Sequence, residues 1–435
     1  MNAAESTLPE ARPTAGPRAG RGEWLALLAA AGGYFCLLCG YYTLRPMREA
    51  LALEIGPDYY RVLFTVAFVF CAALLPVYWW LVGRTRRGLL PWLVYTPFVL
   101  VFGALAVGLS WYPGDRNVAF GYFVALSVAN LFLIAVFWSA MADVWRPELA
   151  KRFYGFVAAG GSAGAIVGPT LVGNFIHAWG PAPLIIMACV LIMMSALLSS
   201  LARERLARCE GARVPDAAIP VGGRAIDDVK RLVTTPYLLG IAGIIIAGQL
   251  IGGFMYSEQG KYVEANYLSL ADRAALFARM EFWVNTLNVV FQAGVVTALS
   301  WRNSLVASLS AMPVLVGASF VVMALVPTGG VLLVTQVLRR SADYGLGKPT
   351  REVLFTVLNP ESKFKSKSFI DIVLHRGSDA VAQWVYAPIA LLGVGLAGVA
   401  WICAGFSVVM LAATLYLGRA FERRREPPAA SGPPS

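Results

Sequence analysis

The sequence predicts an all-α membrane protein, with twelve transmembrane helices arranged as two six-helix bundles. Three observations carry that prediction. Of the 435 residues, 58% are hydrophobic and only 14% are charged, where soluble chains average roughly 45–50% and about 25%, and mean hydropathy is +0.65. Apolar runs of the roughly 17–25 residues needed to cross a bilayer recur twelve times. The longest polar interruption begins at Ala202, carries Pro215 and Pro220 among many charges, and falls after the sixth run. The composition alone excludes soluble enzymes, secreted disulfide scaffolds and disordered regulators.

Taken in order, residues 1–22 are rich in Ala, Pro, Gly and Arg, lack an apolar core and read as a disordered cytoplasmic tail. The first run, Trp24 to about Thr43, shows no evident cleavage site and reads as a spanning helix, not a signal peptide. Further spans fall near 60–83, 89–110, 118–142, 153–176 and 181–201, completing an N-terminal bundle over 23–201. Residues 202–235 form a cytoplasmic linker. Spans near 237–256, 276–300, 304–326, 330–354, 369–391 and 397–418 build a second bundle over 236–420, and 421–435 form a second disordered tail.

Orientation follows from the basic residues. With the N-terminus inside, 25 of the 36 Lys and Arg fall on cytoplasmic stretches, and the turns at 177–180, 327–329 and 392–396 on the other side have none. That satisfies the positive-inside rule and places both termini in the cytoplasm of a bacterial inner membrane. The formal charge of +11 is thus a record of topology and implies no nucleic-acid partner. Of the six cysteines, Cys36, Cys39, Cys71, Cys189 and Cys403 lie in apolar runs and Cys209 in a basic loop, so all read as reduced thiols. No metal-ligand spacing, nucleophile elbow or phosphate-binding loop is present, so the sequence points to no enzyme, metal or cofactor.

Ionisable groups at membrane depth persist mainly where they face a cavity or a partner. The first such stretch is Arg45-Pro46-Met47-Arg48-Glu49, where two arginines three apart share a helix face and Glu49 can pair with one of them. In the tenth span, Lys348-Pro349-Thr350-Arg351-Glu352 matches it position for position, preceded by Asp343, Gly345 and Gly347, which allow the helix to break. Interrupted spans at matching places in two halves point to a transporter's substrate site; snorkelling interfacial arginines are the plainer alternative. In the eighth span Arg279 and Glu281 sit in an apolar helix, followed by Asn285, Asn288 and Gln292, which share a helical face as cavity lining or as hydrogen-bonding glue between helices. Glu258 and Lys261 read as a gate or a solvated loop. The charged stretch around Asp143, Glu148, Lys151 and Arg152 reads as a latch between spans four and five or as a fixed tie. Gly160, Gly164 and Gly168, every four residues, read as a close helix contact in preference to a phosphate cradle.

These residues resemble the ATP/ADP translocase-type nucleotide transporter family. Its first-span Leu-Arg-Asp-Thr-Lys-Asp is similar to Leu44-Arg45-Pro46-Met47-Arg48-Glu49, and its Asp-Pro-Thr-Lys-Glu motif is similar to Lys348-Pro349-Thr350-Arg351-Glu352. Its Glu-Ala-Lys-Arg-Phe-Tyr resembles the stretch from Glu148 to Tyr154. The resemblance implies a major-facilitator-like architecture and alternating access. Two departures stand out: arginines at 48 and 351 replace the family's functional lysines, and no acidic residue lies near Leu126 or at Tyr256, where the family has glutamates.

The expected function is secondary transport of a small anionic, phosphorylated substrate by a monomer in the lipid bilayer, with ATP/ADP-like exchange as the finer expectation. Arg45, Arg48, Lys348 and Arg351, with Asn285 and Asn288, are the expected substrate contacts. Glu49, Glu352, Asp343, Glu281, Asp143 and Arg152 are the expected ion pairs or gates. A proton-coupled transporter of drugs or small metabolites is the alternative, using Glu281, Asp343 or Glu352 to carry the proton. A non-transporting scaffold or sensor is the third reading.

Overall fold

The computed structural model describes residues 21–86, 88–141, 145, 147–210, 235–302, 305–357 and 374–425, and among them every regular element is helical. The first six helices are α1 (Arg21–Ile55), α2 (Tyr60–Arg84), α3 (Leu90–Trp111), α4 (Arg116–Met141), α5 (Pro147–Trp179) and α6 (Pro181–Glu210). The second six are α7 (Pro236–Asn266), α8 (Leu270–Arg302), α9 (Leu305–Leu325), α10 (Gly329–Ala342), α11 (His375–Leu391) and α12 (Leu396–Arg425). A short 3-10 turn, Pro57–Tyr59, joins α1 to α2.

Packing repeats with an offset of six helices. In the first half α1 packs on α5 and α6, and α3 on α6; in the second, α7 packs on α11 and α12, and α9 on α12. There are two apolar cores, one around Leu37, Leu44, Tyr122 and Phe137 that also takes in Phe277 and Met280 of α8, and the other around Phe254, Phe320, Cys403 and Leu417. The bundles meet where α5 packs on α8 and α2 on α11. Outward faces are apolar as well: Leu100 is 67% and Val408 66% exposed, an arrangement that only lipid makes favourable.

Nine described helices are long and apolar enough to cross a membrane. The other three, α8, α10 and α11, carry Arg273, Glu281, Arg339, Arg340, Arg376 and Asp379 in their interiors. α10 and α11 fall short in length, at 14 and 17 residues.

Several helices run further than their apolar runs. α1 is 35 residues long, about 50 Å at 1.5 Å per residue, so Arg45-Pro46-Met47-Arg48-Glu49 lies in its interior instead of at its end. Pro46 removes one backbone donor without stopping the helix, as neighbouring helices in a bilayer permit. α7 continues to Asn266 and takes Glu258 into buried helix instead of a loop. The expected break in the tenth span is a single π-helical turn, Asp343–Gly347, after which α-helix resumes over Lys348–Leu354. Gly345 allows that turn to press on α8, since a Cβ there would lie 2.6 Å from the Phe291 Cβ and 3.0 Å from the Asn288 carbonyl oxygen. The tails, residues 211–234, residues 358–373 and Asp143 lie outside the described residues.

Candidate functional site

A cavity of about 570 Å³ lies between the two bundles, within the range of ligand sites for small molecules. The first bundle supplies its wall from α1 (Tyr41, Arg45, Arg48, Glu49), α2 (Phe64, Phe68, Cys71) and α4 (Ser127, Asn130). The second supplies α7 (Gln249, Gly252, Tyr256), the α10 stretch (Gln336, Arg339, Arg340, Asp343, Tyr344, Lys348) and the start of α11 (His375, Arg376, Asp379). Among the described residues its lining thus holds six cations, Arg45, Arg48, Arg339, Arg340, Lys348 and Arg376, against three carboxylates, Glu49, Asp343 and Asp379.

The cations are held by specific partners. Arg48 donates to Glu49, whose second oxygen accepts a 2.5 Å hydrogen bond from the Tyr256 hydroxyl, linking α1 to α7. The Arg48 guanidinium also rests 5.1 Å from the Phe123 ring. Behind the wall, Glu281 on α8 is 1% exposed; its Oε1 accepts from Arg340 and lies 3.3 Å from the Arg45 Nε. One carboxylate therefore serves a guanidinium from each bundle. Arg45 also lies 3.4 Å from the Tyr344 hydroxyl, and Lys348 lies 5.0 Å from that ring. Arg339 donates to Gln336 at 2.9 Å, Gln249 on α7 donates to Asp379 on α11, and Arg376 lies 4.0 Å from that same carboxylate. The Nε atoms of Arg45 and Arg48 are buried without a hydrogen-bond partner among the described residues.

Arg45, Arg48 and Lys348 line the same cavity, with Glu49 and Asp343 beside them. Arg351 is not among them: it lines a separate narrow cleft with Ile244, Met312, Thr350 and Thr414. Glu352 is exposed and absent from the cavity lining. Asn285 is buried and donates to the Ala165 and Glu281 carbonyl oxygens, tying α8 to α5, and Asn288 accepts from Gln292 at 3.2 Å. Neither asparagine lines the cavity, which favours glue over cavity lining for that stripe. Glu258 is buried and accepts from Tyr386 on α11. Asp143 and the Arg152 side chain lie outside the described residues.

Sequence reasoning passes over Arg339 and Arg340 within the tenth span, and counts Arg376 with the cytoplasmic loops. The available signal is spacing: Arg376 and Asp379 stand three apart on one face, and Arg340, Tyr344 and Lys348 recur every four residues. Nothing in composition marks Gln249 or Tyr256. The packing repeats with an offset of six helices, which gives α1 and α7 the same place in the two halves.

No known protein-family model matches the chain. In sequence it is similar to ADP,ATP carrier protein 1 of Chlamydia pneumoniae, with 22% identity over 302 residues; the match covers 60% of this chain and 58% of that carrier. In fold it is similar to a bacterial homologue of the human lysosomal transporter Spinster in an inward-facing, unoccupied conformation, with a TM-score of 0.60 and 13% identity over 95% of this chain and all of that one. A peptide transporter of the POT family bound to alafosfalin gives a TM-score of 0.60 at 16% identity, covering 90% of this chain and 95% of that one. A nucleoside transporter gives 0.56 at 13%, covering 93% and 100%. The chain thus has a major-facilitator-like fold and a distant sequence resemblance to one ADP,ATP carrier.

Proposed function

We propose that the protein is a secondary transporter that moves a small phosphorylated anion by alternating access of the two bundles around the central cavity. The carrying observation is the charge of that cavity: six cations face three carboxylates in a space walled by both bundles. Guanidinium groups grip phosphate through paired, charge-assisted hydrogen bonds. Here they come from α1 on one side and from α10 on the other. An anion held between them ties its own position to the relative position of the bundles.

Arg45, Arg48, Arg339, Arg340 and Lys348 would hold the phosphorylated end, and Tyr41, Phe64 and Phe68 would face the rest of the molecule. Nucleotide exchange is the finer reading, supported by the similarity to the chlamydial carrier and by these aromatic rings. Cytoplasmic termini, supported by the loop charges, complete the proposal.

The test is uptake of radiolabelled ADP, ATP, a hexose phosphate and inorganic phosphate into proteoliposomes. At least one should accumulate through the purified protein, and Arg48→Ala and Arg340→Ala should each weaken it. Transport that is indifferent to both substitutions, or confined to uncharged compounds, would overturn the assignment.

A further inference from the structure

Glu281 differs from the other carboxylates at the cavity. Glu49 has both oxygens engaged, by Arg48 and Tyr256. Asp379 is held by Gln249 and lies beside Arg376 on its own helix. Glu281 is 1% exposed and offers a single oxygen, Oε1, to two guanidiniums, Arg340 and Arg45, while its Oε2 is buried with no hydrogen-bond partner among the described residues. Arg45 lies 3.3 Å away without hydrogen-bond alignment, and its Nε stays unpartnered. The arrangement is a two-arginine anion subsite filled by a side chain that fits it incompletely. A phosphoryl group, with three oxygens, would satisfy both arginines better than one carboxylate oxygen does.

We propose that Glu281 is an internal counter-anion that stands in for the substrate between Arg45 and Arg340, so that the empty carrier can close and reorient and the protein supports net flux as well as exchange. The inference rests on the anionic-substrate reading. A carrier whose empty site holds uncompensated cations cannot close over them, because closure strips their water and leaves buried charge unpaired. Such a carrier returns only when loaded and is an obligatory exchanger. Glu281 lowers that obstacle: it bridges one arginine from each bundle, offsetting one of their two positive charges, and is displaced when the better anion arrives. Arg45 belongs to the first bundle, Glu281 and Arg340 to the second, so the bridge also holds the bundles in register while the site is empty.

The experiment compares two fluxes in the same proteoliposomes. One is net uptake of radiolabelled ADP, hexose phosphate or inorganic phosphate into vesicles without internal anion, and the other is uptake into vesicles preloaded with the same compound. For Glu281→Gln, exchange should persist while the ratio of net flux to exchange falls by about tenfold or more, the size of a population shift that one unpaired buried charge produces. Glu281→Asp, which keeps the charge, should hold the wild-type ratio. Glu281→Gln combined with Arg340→Gln, which restores the charge balance, should recover the ratio even with weaker binding, and it serves as the test if the single variant does not reach the membrane. Equal loss of both fluxes in Glu281→Gln, an unchanged ratio, or no recovery in the double variant would overturn the inference. Absence of flux of all three anions through the wild-type protein would instead bring down the substrate reading.

Discussion

A guanidinium at membrane depth needs an answering charge or a cavity, and residue by residue that requirement separates binding groups from structural ones. Arg340 has both, a buried carboxylate behind it and the cavity in front. Arg351 lies in a different cleft. Arg340→Ala should therefore raise the half-saturating concentration of the transported anion about tenfold or more, the equivalent of one charge-assisted hydrogen bond, whereas Arg351→Ala should leave it within about twofold. Equal effects of the two in concentration-dependent uptake would contradict this. Asn285 ties α8 to the Ala165 carbonyl oxygen, so Asn285→Ala should lower stability in detergent by about 0.6 kcal/mol without changing anion affinity, which a melting curve recorded with and without substrate would reveal. Arg45, Arg48 and Lys348 were legible because a charge in an apolar run is conspicuous by itself. The exclusion of Arg351 was not legible: the π turn at Asp343–Gly347 adds a residue to the helix and rotates the residues beyond it by about 100° relative to a regular helix. Only the two glycines hinted at that turn.

At the scale of helices, α1 is the element on which the first bundle is assembled, and the α5 glycines set how closely α5 approaches it. A Cβ at Gly160 would lie 2.5 Å from the Ala31 carbonyl oxygen, at Gly164 2.3 Å from that of Phe35, and at Gly168 2.5 Å from that of Cys39. These are backbone atoms that cannot turn aside. Thr43 lies in the same seam, with its hydroxyl 3.4 Å from the Gly168 carbonyl oxygen. Gly164→Val should therefore cost about 1–3 kcal/mol by overpacking and displace Arg45 and Arg48, which ride on α1, lowering transport as well as melting temperature. Gly173 on the same helix is the control: its added Cβ would meet only the Ala278 Cβ at 3.9 Å, so Gly173→Ala should stay within about 0.5 kcal/mol of wild type. A Gly164 variant as stable as the Gly173 control would show that the seam is not tight. This contact was legible in the sequence because a four-residue repeat of glycine in an apolar run is a local pattern with one common cause. The like placement of α1 and α7 in the two halves was not, because the five-residue match between the first and tenth spans is more conspicuous in the sequence than the six-helix offset.

Across the whole molecule, the two bundles are sealed at one end, where α1, α5 and α7 finish and α2 and α8 begin. Arg273 on α8 reaches Glu54 on α1 at 3.0 Å while its Nε donates to the Tyr267 carbonyl oxygen. The Tyr60 ring on α2 lies tilted 4.9 Å from that of Tyr256 on α7, and Gly260 leaves room for the Tyr60 hydroxyl, since a Cβ there would lie 2.6 Å away. His177 on α5 lies 3.8 Å from Asp272 on α8. Under the proposed alternating access these contacts part together, so weakening one should raise the population in which the cavity is reached from that end. The native thiol of Cys71 reports on this, because it lines the cavity and is 1% exposed. With the protein in oriented vesicles, a membrane-impermeant maleimide applied on the side of the Pro57–Tyr59 turn should modify Cys71 slowly in the wild type. In Arg273→Gln, which removes the cation shared by Glu54 and the Tyr267 carbonyl, modification should accelerate about 5–30-fold, corresponding to one or two kcal/mol of lost closure. A transported anion should slow it again by occupying the same space. Modification that proceeds at the wild-type rate in Arg273→Gln would mean that the seal does not rest on that arginine, and Tyr60→Ala would then have to open it; if neither variant exposes Cys71 from that side, the contacts are not the gate.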